Sequence, residues 1–426
     1  MPAPYSNSNL WMSPKSSSQH RPAMAGDLDT EFLVIGGGIT GCSAALRAAE
    51  LGESVVLLEA RTIGHGGSGR NVGLVNAGLW LAPASIEQRL GKESGGKLNK
   101  LLLTAPDAVF SLIEKHDISC DLSRNGTLQC ADSNRAYRAL RERAAQVNRI
   151  GGQVEIIGPD EVAANTGTHR YSGGLMDPRA GTIQPAQYCA GLADAASRLG
   201  ATIFEGSCVN RVYRDGTRWI AKTPSATITA RKLLVATNAY AANIQDISMA
   251  EFTAVQYFQF ATEPLEEGLP ERILPTGLGC WDTALVMSSF RKDASGRLLI
   301  GSIGRLTDST KNIHERWAAR KLRFLFPDLN EVKFAYSWDG RIAMTNDHLP
   351  KIVRLGPDAY SVFGFSGRGI GPGTVFGQLA ADSLLQREED ILPLVPIDRY
   401  TNFASRTKSC FIELGAAALH LIQGRL

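Results

Sequence analysis

Three kinds of hydrophobic pattern divide this chain. Residues 32–35 form an unbroken apolar run, residues 39–51 carry apolar side chains at helical spacing, and residues 54–58 form a second short run. Unbroken runs on either side of a helical stripe are the mark of strands covered on both faces, so a parallel strand, helix, strand unit is expected here. The pattern then dissolves into glycine over residues 63–78. Helical stripes return over residues 85–115, and short strands are expected at 126–130 and 153–157. Residues 173–185 are turn-rich and lead into a helix reaching about residue 199, with Pro185 in its first turn, where the missing N–H does no harm. Five strands follow, at 202–204, 209–213, 218–222, 226–229 and 232–236. From residue 252 the pattern becomes aromatic-rich strands, 252–264 and 283–302, the latter folded at the DASG turn of residues 293–296 into a hairpin. A helix is expected over 315–326, and a last strand, glycine turn and helix over 360–386.

The glycines between the first strand and helix fall at Gly36, Gly38 and Gly41. The first permits a sharp turn, the second lets backbone N–H groups approach a pyrophosphate at the helix N-terminus, and the third lets helix and strand pack closely. Ile39 and Thr40 open that helix and belong to the same cradle. Glu59 ends the second strand, where a carboxylate accepts hydrogen bonds from both ribose hydroxyls of an adenosine, with Ala60 and Arg61 beside it. The combination predicts a dinucleotide and leaves FAD and NAD both open. Directly after it, Gly67, Ser68, Arg70, Asn71 and Gly73 combine a backbone able to follow a ligand with polar groups suited to phosphate and ring contacts.

Length and charge narrow the classes. With 426 residues, two connected domains are expected, and a net charge of +3 offers nothing to nucleic acid or an anionic membrane. The arginines of residues 135–149 read as the solvated face of an amphipathic helix. Seven cysteines without CxxC spacing indicate neither a disulfide framework nor a zinc site, and no metal is expected; a reducing, cytoplasmic setting follows. Residues 1–29, rich in Ser, Pro and Asn, read as a disordered extension. No window is long and apolar enough for a transmembrane helix, and residues 410–422 read as a packed terminal helix.

Taken in order, these pieces resemble the FAD-dependent D-amino acid oxidase superfamily over residues 30–390. Beyond the fingerprint, the resemblance rests on SGRNVG at 68–73, W-x-G-R-x-x-x-T at 338–345 with Pro350, and GFSGRG at 364–369. SGRN with FRKDASGRLLIGS looks most like the gamma-glutamylputrescine oxidase branch, with glycine oxidase and sarcosine oxidase as further members. The resemblance implies an α/β fold, α+β overall. A Rossmann-like FAD-binding domain (30–84, 166–245, 335–392) would be joined to a discontinuous antiparallel-sheet substrate domain (85–165, 246–334), followed by a C-terminal extension (393–426).

It also implies that the backbone of Val209 meets the adenine, that Ala236, Thr237 and Asn238 lie near the pyrophosphate, and that Gly367, Arg368, Gly369 and Ile370 run along the flavin ring. Gly340 stands where some members attach flavin through a cysteine, which implies non-covalent FAD, and Gly371 stands where they hold a carboxylate with lysine. Arg341 is then the best carboxylate partner. The candidate catalytic and pocket residues are Arg341, Arg291, Tyr257 and Trp338, with Phe258, Trp281 and Phe290 beside them; His65 lies near the expected flavin, and His348 reads as structural or exposed.

The implied activity is oxidation of the C–N bond of a primary or secondary amine or amino acid to an imine, by hydride transfer to flavin, with imine hydrolysis and O2 or another acceptor closing the cycle. The partner is a small-molecule amine. An amine dehydrogenase served by a quinone or electron-transfer partner, and a non-catalytic flavoprotein interaction module, are the alternatives. A nicotinamide-dependent reductase would need a second complete strand, GxGxxG turn and helix unit for NAD(P)H, and no such complete unit appears after residue 60.

Overall fold

The computed structural model describes residues 9–12, 21–241, 243–329, 331–402 and 404–422. Its first sheet grows from the strand, helix, strand unit at the start of the chain. Strand Leu28–Ile35 pairs in parallel with Val55–Leu58 on one side and with Thr227–Val235 on the other; Thr202–Phe204 and Ala359–Phe363 extend the parallel array, and Lys351–Gly356 closes one edge antiparallel. Phe32, Leu33 and Val34 have no solvent exposure, which is why their run carries no polar alternation.

Residues 226–229 and 232–236, which read as two strands, form the single strand Thr227–Val235. Along nearly its whole length it pairs in parallel with Leu28–Ile35; on its other edge the first half pairs antiparallel with Arg218–Lys222 in a small meander and the second half pairs in parallel with Ala359–Phe363. The exposed Arg231 at the changeover breaks the apolar pattern without breaking the strand.

Two helices lie side by side on this sheet, the fingerprint helix Ile39–Glu50 and the late helix Ile370–Gln386. They touch at backbone distance: a β-carbon on Gly377 would sit 2.3 Å from the Thr40 carbonyl oxygen. The helical stretch of residues 85–115 is three helices, Pro83–Leu90, Lys92–Leu103 and Ala105–Lys115, broken at Gly91 with φ +82° and near Pro106, which has no N–H to give. Helix Pro185–Arg198 starts on proline, with the Gln184 side chain accepting the Gln187 N–H at 2.7 Å.

The second sheet has eight strands, from Phe334–Met344 through Thr253–Pro264, Arg297–Ile303, Ser289–Lys292, Gly279–Asp282, Thr127–Cys130 and Gly174–Asp177 to Glu155–Ile157. All its pairings are antiparallel except that of Gly279–Asp282 with Thr127–Cys130. Strands Gly174–Asp177 and Phe334–Met344 therefore sit in this sheet, although the expected boundaries put residues 166–245 and 335–392 on the nucleotide side. Helix Lys311–Leu325 covers its back with Trp317, Leu322 and Leu325.

Part of the extension expected to be disordered is ordered. Residues 1–8 and 13–20 lie outside the described residues, but Leu10–Met12 form a 3-10 turn whose Trp11 is 3% exposed, and Leu28 and Asp29 already belong to the first strand. At the other end, helix Ser405–Ile422 packs on strand Thr253–Pro264 and helix Lys311–Leu325. Among the described residues, no helix is long and apolar enough to cross a membrane.

Candidate functional site

The carboxyl ends of strands Leu28–Ile35, Val55–Leu58 and Thr227–Val235 open onto a cavity of about 940 Å³ that continues across the face of the second sheet. Crevices at strand ends of open parallel sheets are where such folds bind ligands. The fingerprint glycines are there for steric reasons. Gly36 has φ +113°, and a β-carbon on it would sit 2.9 Å from the Ala236 oxygen; one on Gly38 would meet Ser68 Oγ at 2.8 Å; one on Gly41 would lie 1.9 Å from the Gly36 oxygen.

Ile39 N–H donates to Ser68 Oγ at 3.0 Å, so the first helical turn faces the cavity with one of its free donors already engaged by the loop opposite. Glu59 accepts the Gly37 N–H at 2.7 Å and the Arg61 N–H at 2.9 Å. Burial holds its carboxyl above the usual carboxylate range, against these two N–H groups, which favour the anion. Ala60, Arg61, Val209, Ala236, Thr237 and Asn238 complete this end of the cavity.

Opposite, the late helix begins at the same cavity. Gly364, Ser366 and Gly367 take φ of +84°, +51° and +95°, and the turn is held by Asn238 Oδ1, which accepts the Gly364 N–H at 3.1 Å. Gly367, Arg368, Gly369 and Ile370 all line the cavity. Two helix N-termini, each equivalent to about half a positive charge, thus face one space.

The glycine loop is supported from behind. Gly67, Ser68 and Asn71 line the cavity, whereas Gly41, Arg70 and Gly73 do not. Arg70 points away, donating to the His65 oxygen at 2.8 Å and the Asp339 oxygen at 3.1 Å. Gly73 has φ +82°, and a β-carbon on it would sit 2.1 Å from the Ile183 oxygen. Trp338 is also outside the cavity. Its Nε1 donates to the Arg70 oxygen at 2.8 Å, and its ring meets Trp11 edge-on at 5.9 Å. Trp11 Nε1 in turn donates to the Asn71 oxygen at 2.9 Å, and Asn9 Nδ2 to the Gly69 oxygen at 2.8 Å.

Arg291 is not a cavity residue either. It is 2% exposed, lies 5.3 Å from the Trp11 ring and donates from Nη1 to the Gly73 oxygen at 3.4 Å; burial lowers its pKa to about 10. It does not lie in the pocket expected from the sequence. Phe258 and Phe290 point to the opposite, core side of the sheet.

The sheet face under the cavity is partly polar. Tyr257 and Gln259 alternate on strand Thr253–Pro264, and pairing continues from Gln259 through Gly301 and Ser289 to Trp281. Directly paired residues share a face. A β-carbon on Gly301 would overlap the Gln259 amide at 2.1 Å, so the glutamine lies flat across that strand. The same logic puts Tyr257 over Gly340, where a β-carbon would meet the phenol oxygen at 2.5 Å. Among the described residues, Tyr257 OH, Gln259 Oε1, Trp281 Nε1 and Arg368 Nε are all buried without a partner. Arg341 lies at an exposed edge, 4.7 Å from the Tyr240 ring, with its N–H donating to Tyr240 OH at 2.8 Å.

His65 lines the cavity, held below the usual histidine range by burial and by Arg70 and Arg61. His348 lines it too, contrary to the expectation of a structural or exposed residue. Gln259, Ser289, Ser302, Trp80 and Asn76 were missed. For Gln259 a signal exists: it is a polar residue set between Phe258 and Phe260 in the aromatic run YFQF of residues 257–260. Arg143, in the basic helix Asn134–Arg149, is also not solvated: it donates to the Leu79 and Trp80 oxygens at 2.6 and 2.7 Å.

Comparison with known proteins agrees with this geometry. The profile of the family described as FAD dependent oxidoreductase (DAO) matches residues 31–383. A probable oxidoreductase OrdL of Haemophilus influenzae is 31% identical over 366 residues, covering 84% of this chain and 84% of that protein. Gamma-glutamylputrescine oxidoreductase of Escherichia coli is 30% identical over 390 residues, covering 91% of each. Among solved structures, glycine oxidase from Geobacillus kaustophilus superposes with a TM-score of 0.69 at 19% identity, covering 85% of this chain and 95% of that one; at that identity the likeness speaks for the fold alone.

Proposed function

The chain belongs to the DAO family of FAD dependent oxidoreductases, and on that premise we propose that it oxidises the C–N bond of a primary or secondary amine or amino acid to an imine, which water then hydrolyses. The chain is an FAD-binding enzyme. The observation that carries the substrate reading is the continuity of the cavity: it runs from the fingerprint helix and Glu59, past a second helix N-terminus, onto a sheet face with buried, unpartnered polar groups.

The residues present fit FAD. Glycines at 36, 38 and 41 let turn, loop and helix start pack at backbone distance beside the cavity, the N–H groups at the starts of helices Ile39–Glu50 and Ile370–Gln386 suit a pyrophosphate and a negatively charged ring edge, and Glu59 suits a ribose. Tyr257 fills the space a side chain at position 340 would need, which supports a non-covalent cofactor. When bound, FAD supplies the acceptor for the hydride and two electrons that leave the carbon next to nitrogen.

The protein has to hold that carbon in place with the amine unprotonated and to keep bulk water away. Buried Tyr257, Gln259 and Trp281 form such a dry, oriented floor, and His65, kept largely neutral, adds no cation beside the ring. O2 or an electron-transfer partner closes the turnover, and a cytoplasmic setting is supported by seven free cysteines. The test is direct: purified protein should be yellow, release FAD intact on denaturation, and bleach under argon against an amine panel. Stoichiometric NAD, flavin retained by the denatured chain, or no bleaching by any amine would each count against the reading. Oxygen uptake compared with dye reduction separates oxidase from dehydrogenase.

A further inference from the structure

Gln259 brings a buried amide to the cavity floor. It is 4% exposed, lines the cavity from strand Thr253–Pro264, and among the described residues its Oε1 has no hydrogen-bond partner. An unpartnered buried polar group is costly, so a native site that keeps one has a use for it. The next strand makes room for this side chain: a β-carbon on Gly301, its cross-strand partner, would lie 2.1 to 2.3 Å from the three heavy atoms of the amide head. The glutamine therefore reaches over that strand toward Ser289, which pairs with Gly301, and Trp281, which pairs with Ser289. Ser289 and Trp281 are buried and line the cavity, and Trp281 Nε1 is a second group without a partner among the described residues.

The row Gln259, Ser289, Trp281 thus lays an amide, a hydroxyl and an indole N–H across four strands without a formal charge. Among the described residues, Glu59 is the one carboxylate that lines the cavity, and it lies at the nucleotide end. Asp282, next to Trp281, alternates to the opposite face, where Lys321 Nζ at 2.7 Å and Ser288 Oγ at 2.6 Å hold it. An ammonium laid on the row would find no counterion, and a carboxylate would meet the Gln259 oxygen. A neutral amide suits it. Whichever way the Gln259 head is turned, it offers one acceptor and one donor side by side, the pair that another amide completes reciprocally. We propose that Gln259, with Ser289 and Trp281, is a specificity-determining subsite that reads a neutral amide on the substrate, away from the amine that is oxidised. This rests on the amine-oxidising reading and names its substrate class, amines bearing an amide rather than diamines. A site built to hydrogen-bond a group rejects analogues that lack it, because its own buried groups are then stranded.

The test uses purified holoprotein and a series of mono-N-acetylated diamines with spacers of two to six methylenes. Each is paired with the alkylamine and the diamine of equal chain length. Binding is read by the flavin's visible absorbance and by intrinsic tryptophan fluorescence, and turnover by kcat/KM. Wild type should bind the best amide of the series at least tenfold more tightly than either of its partners. Gln259→Leu should erase the preference over the alkylamine, whose own affinity stays within a few-fold of wild type. Gln259→Glu, close in shape, should hand the preference to the diamine.

A wild type that binds amide, alkylamine and diamine alike at every length, or binds none of them, overturns the subsite whether or not the variants fold. A folded Gln259→Leu protein that keeps the full preference overturns it as well, and so does a folded Gln259→Glu protein that still favours the amide tenfold over the diamine. If tryptophan fluorescence shows the amide preference in a protein that no amine bleaches, the subsite stands and the amine-oxidising reading falls; bleaching by amines without any amide preference gives the reverse.

Discussion

The Glu59 carboxylate, at the end of the second parallel strand, accepts the N–H of Gly37 at 2.7 Å and so ties two sides of the fingerprint together. Replacing it by arginine puts a cation where ribose hydroxyls need an acceptor. Flavin content of Glu59→Arg protein after gel filtration should fall more than tenfold, while its apo unfolding temperature stays within a few degrees of the wild-type apoprotein. Undiminished flavin would remove Glu59 from the site.

Two glycine-to-alanine changes should have opposite signs. At Gly41 the new β-carbon would lie 1.9 Å from the Gly36 oxygen, so helix and strand must separate, at a cost of about 1–3 kcal/mol and with loss of flavin. At Gly96, inside helix Lys92–Leu103, nothing lies within 4 Å, and alanine should stabilise by about 0.5–1 kcal/mol. Thermal or urea denaturation of both variants reads the two signs.

Trp11 reaches the flavin-side loop through the Asn71 oxygen and packs against Trp338. Trp11→Ala should leave the sheets intact but speed flavin release several-fold, because the loop carrying Ser68 loses its backing. Flavin dissociation followed by fluorescence recovery measures this, and an unchanged rate would mean the loop holds itself.

His314 and His420 meet at 2.8 Å between helix Lys311–Leu325 and the terminal helix, against Phe258 and Trp317, with Arg305 and Arg320 nearby. Burial lowers their pKa to about 4 and about 3. The unfolded chain, titrating near the ordinary value of 6.5, therefore takes up protons first. Their contribution to stability is whole above pH about 6.5 and is lost as pH falls toward about 4 for His314 and about 3 for His420. His420→Gln should flatten the unfolding temperature over that window, and the same slope in both proteins would assign it to other groups.

Arg341 is exposed and lies against Tyr240. Arg341→Leu should change the KM of carboxylate-bearing amines only a few-fold and leave flavin bound. Steady-state kinetics on matched substrates with and without the carboxylate decide it; a loss of tenfold or more confined to the acid would make Arg341 the carboxylate's anchor.

The nucleotide half was legible because its physics is local: a turn, a helix start and a carboxylate within residues 36–59. The substrate half was not, because its chemistry depends on which strands become neighbours. Gln259, Ser289 and Trp281 share a face only through the Gly301 pairing. Trp338 and Arg291, expected in the pocket, both lie behind the loop, against the N-terminal turn around Trp11. Sheet membership of Gly174–Asp177 and Phe334–Met344 was hidden for the same reason.

Ser43, on the fingerprint helix, donates to the carbonyl of Thr374, on the late helix, 331 residues further along the chain. The ribosome adds roughly 5–20 residues per second, so on the order of tens of seconds separate synthesis of the two walls of the cofactor site. A nascent chain that has completed its first βαβ unit still lacks half of what would grip the ligand. Flavin capture is thus a late event in biogenesis, and a truncated product ending before residue 370 would emerge colourless however well its first half had folded.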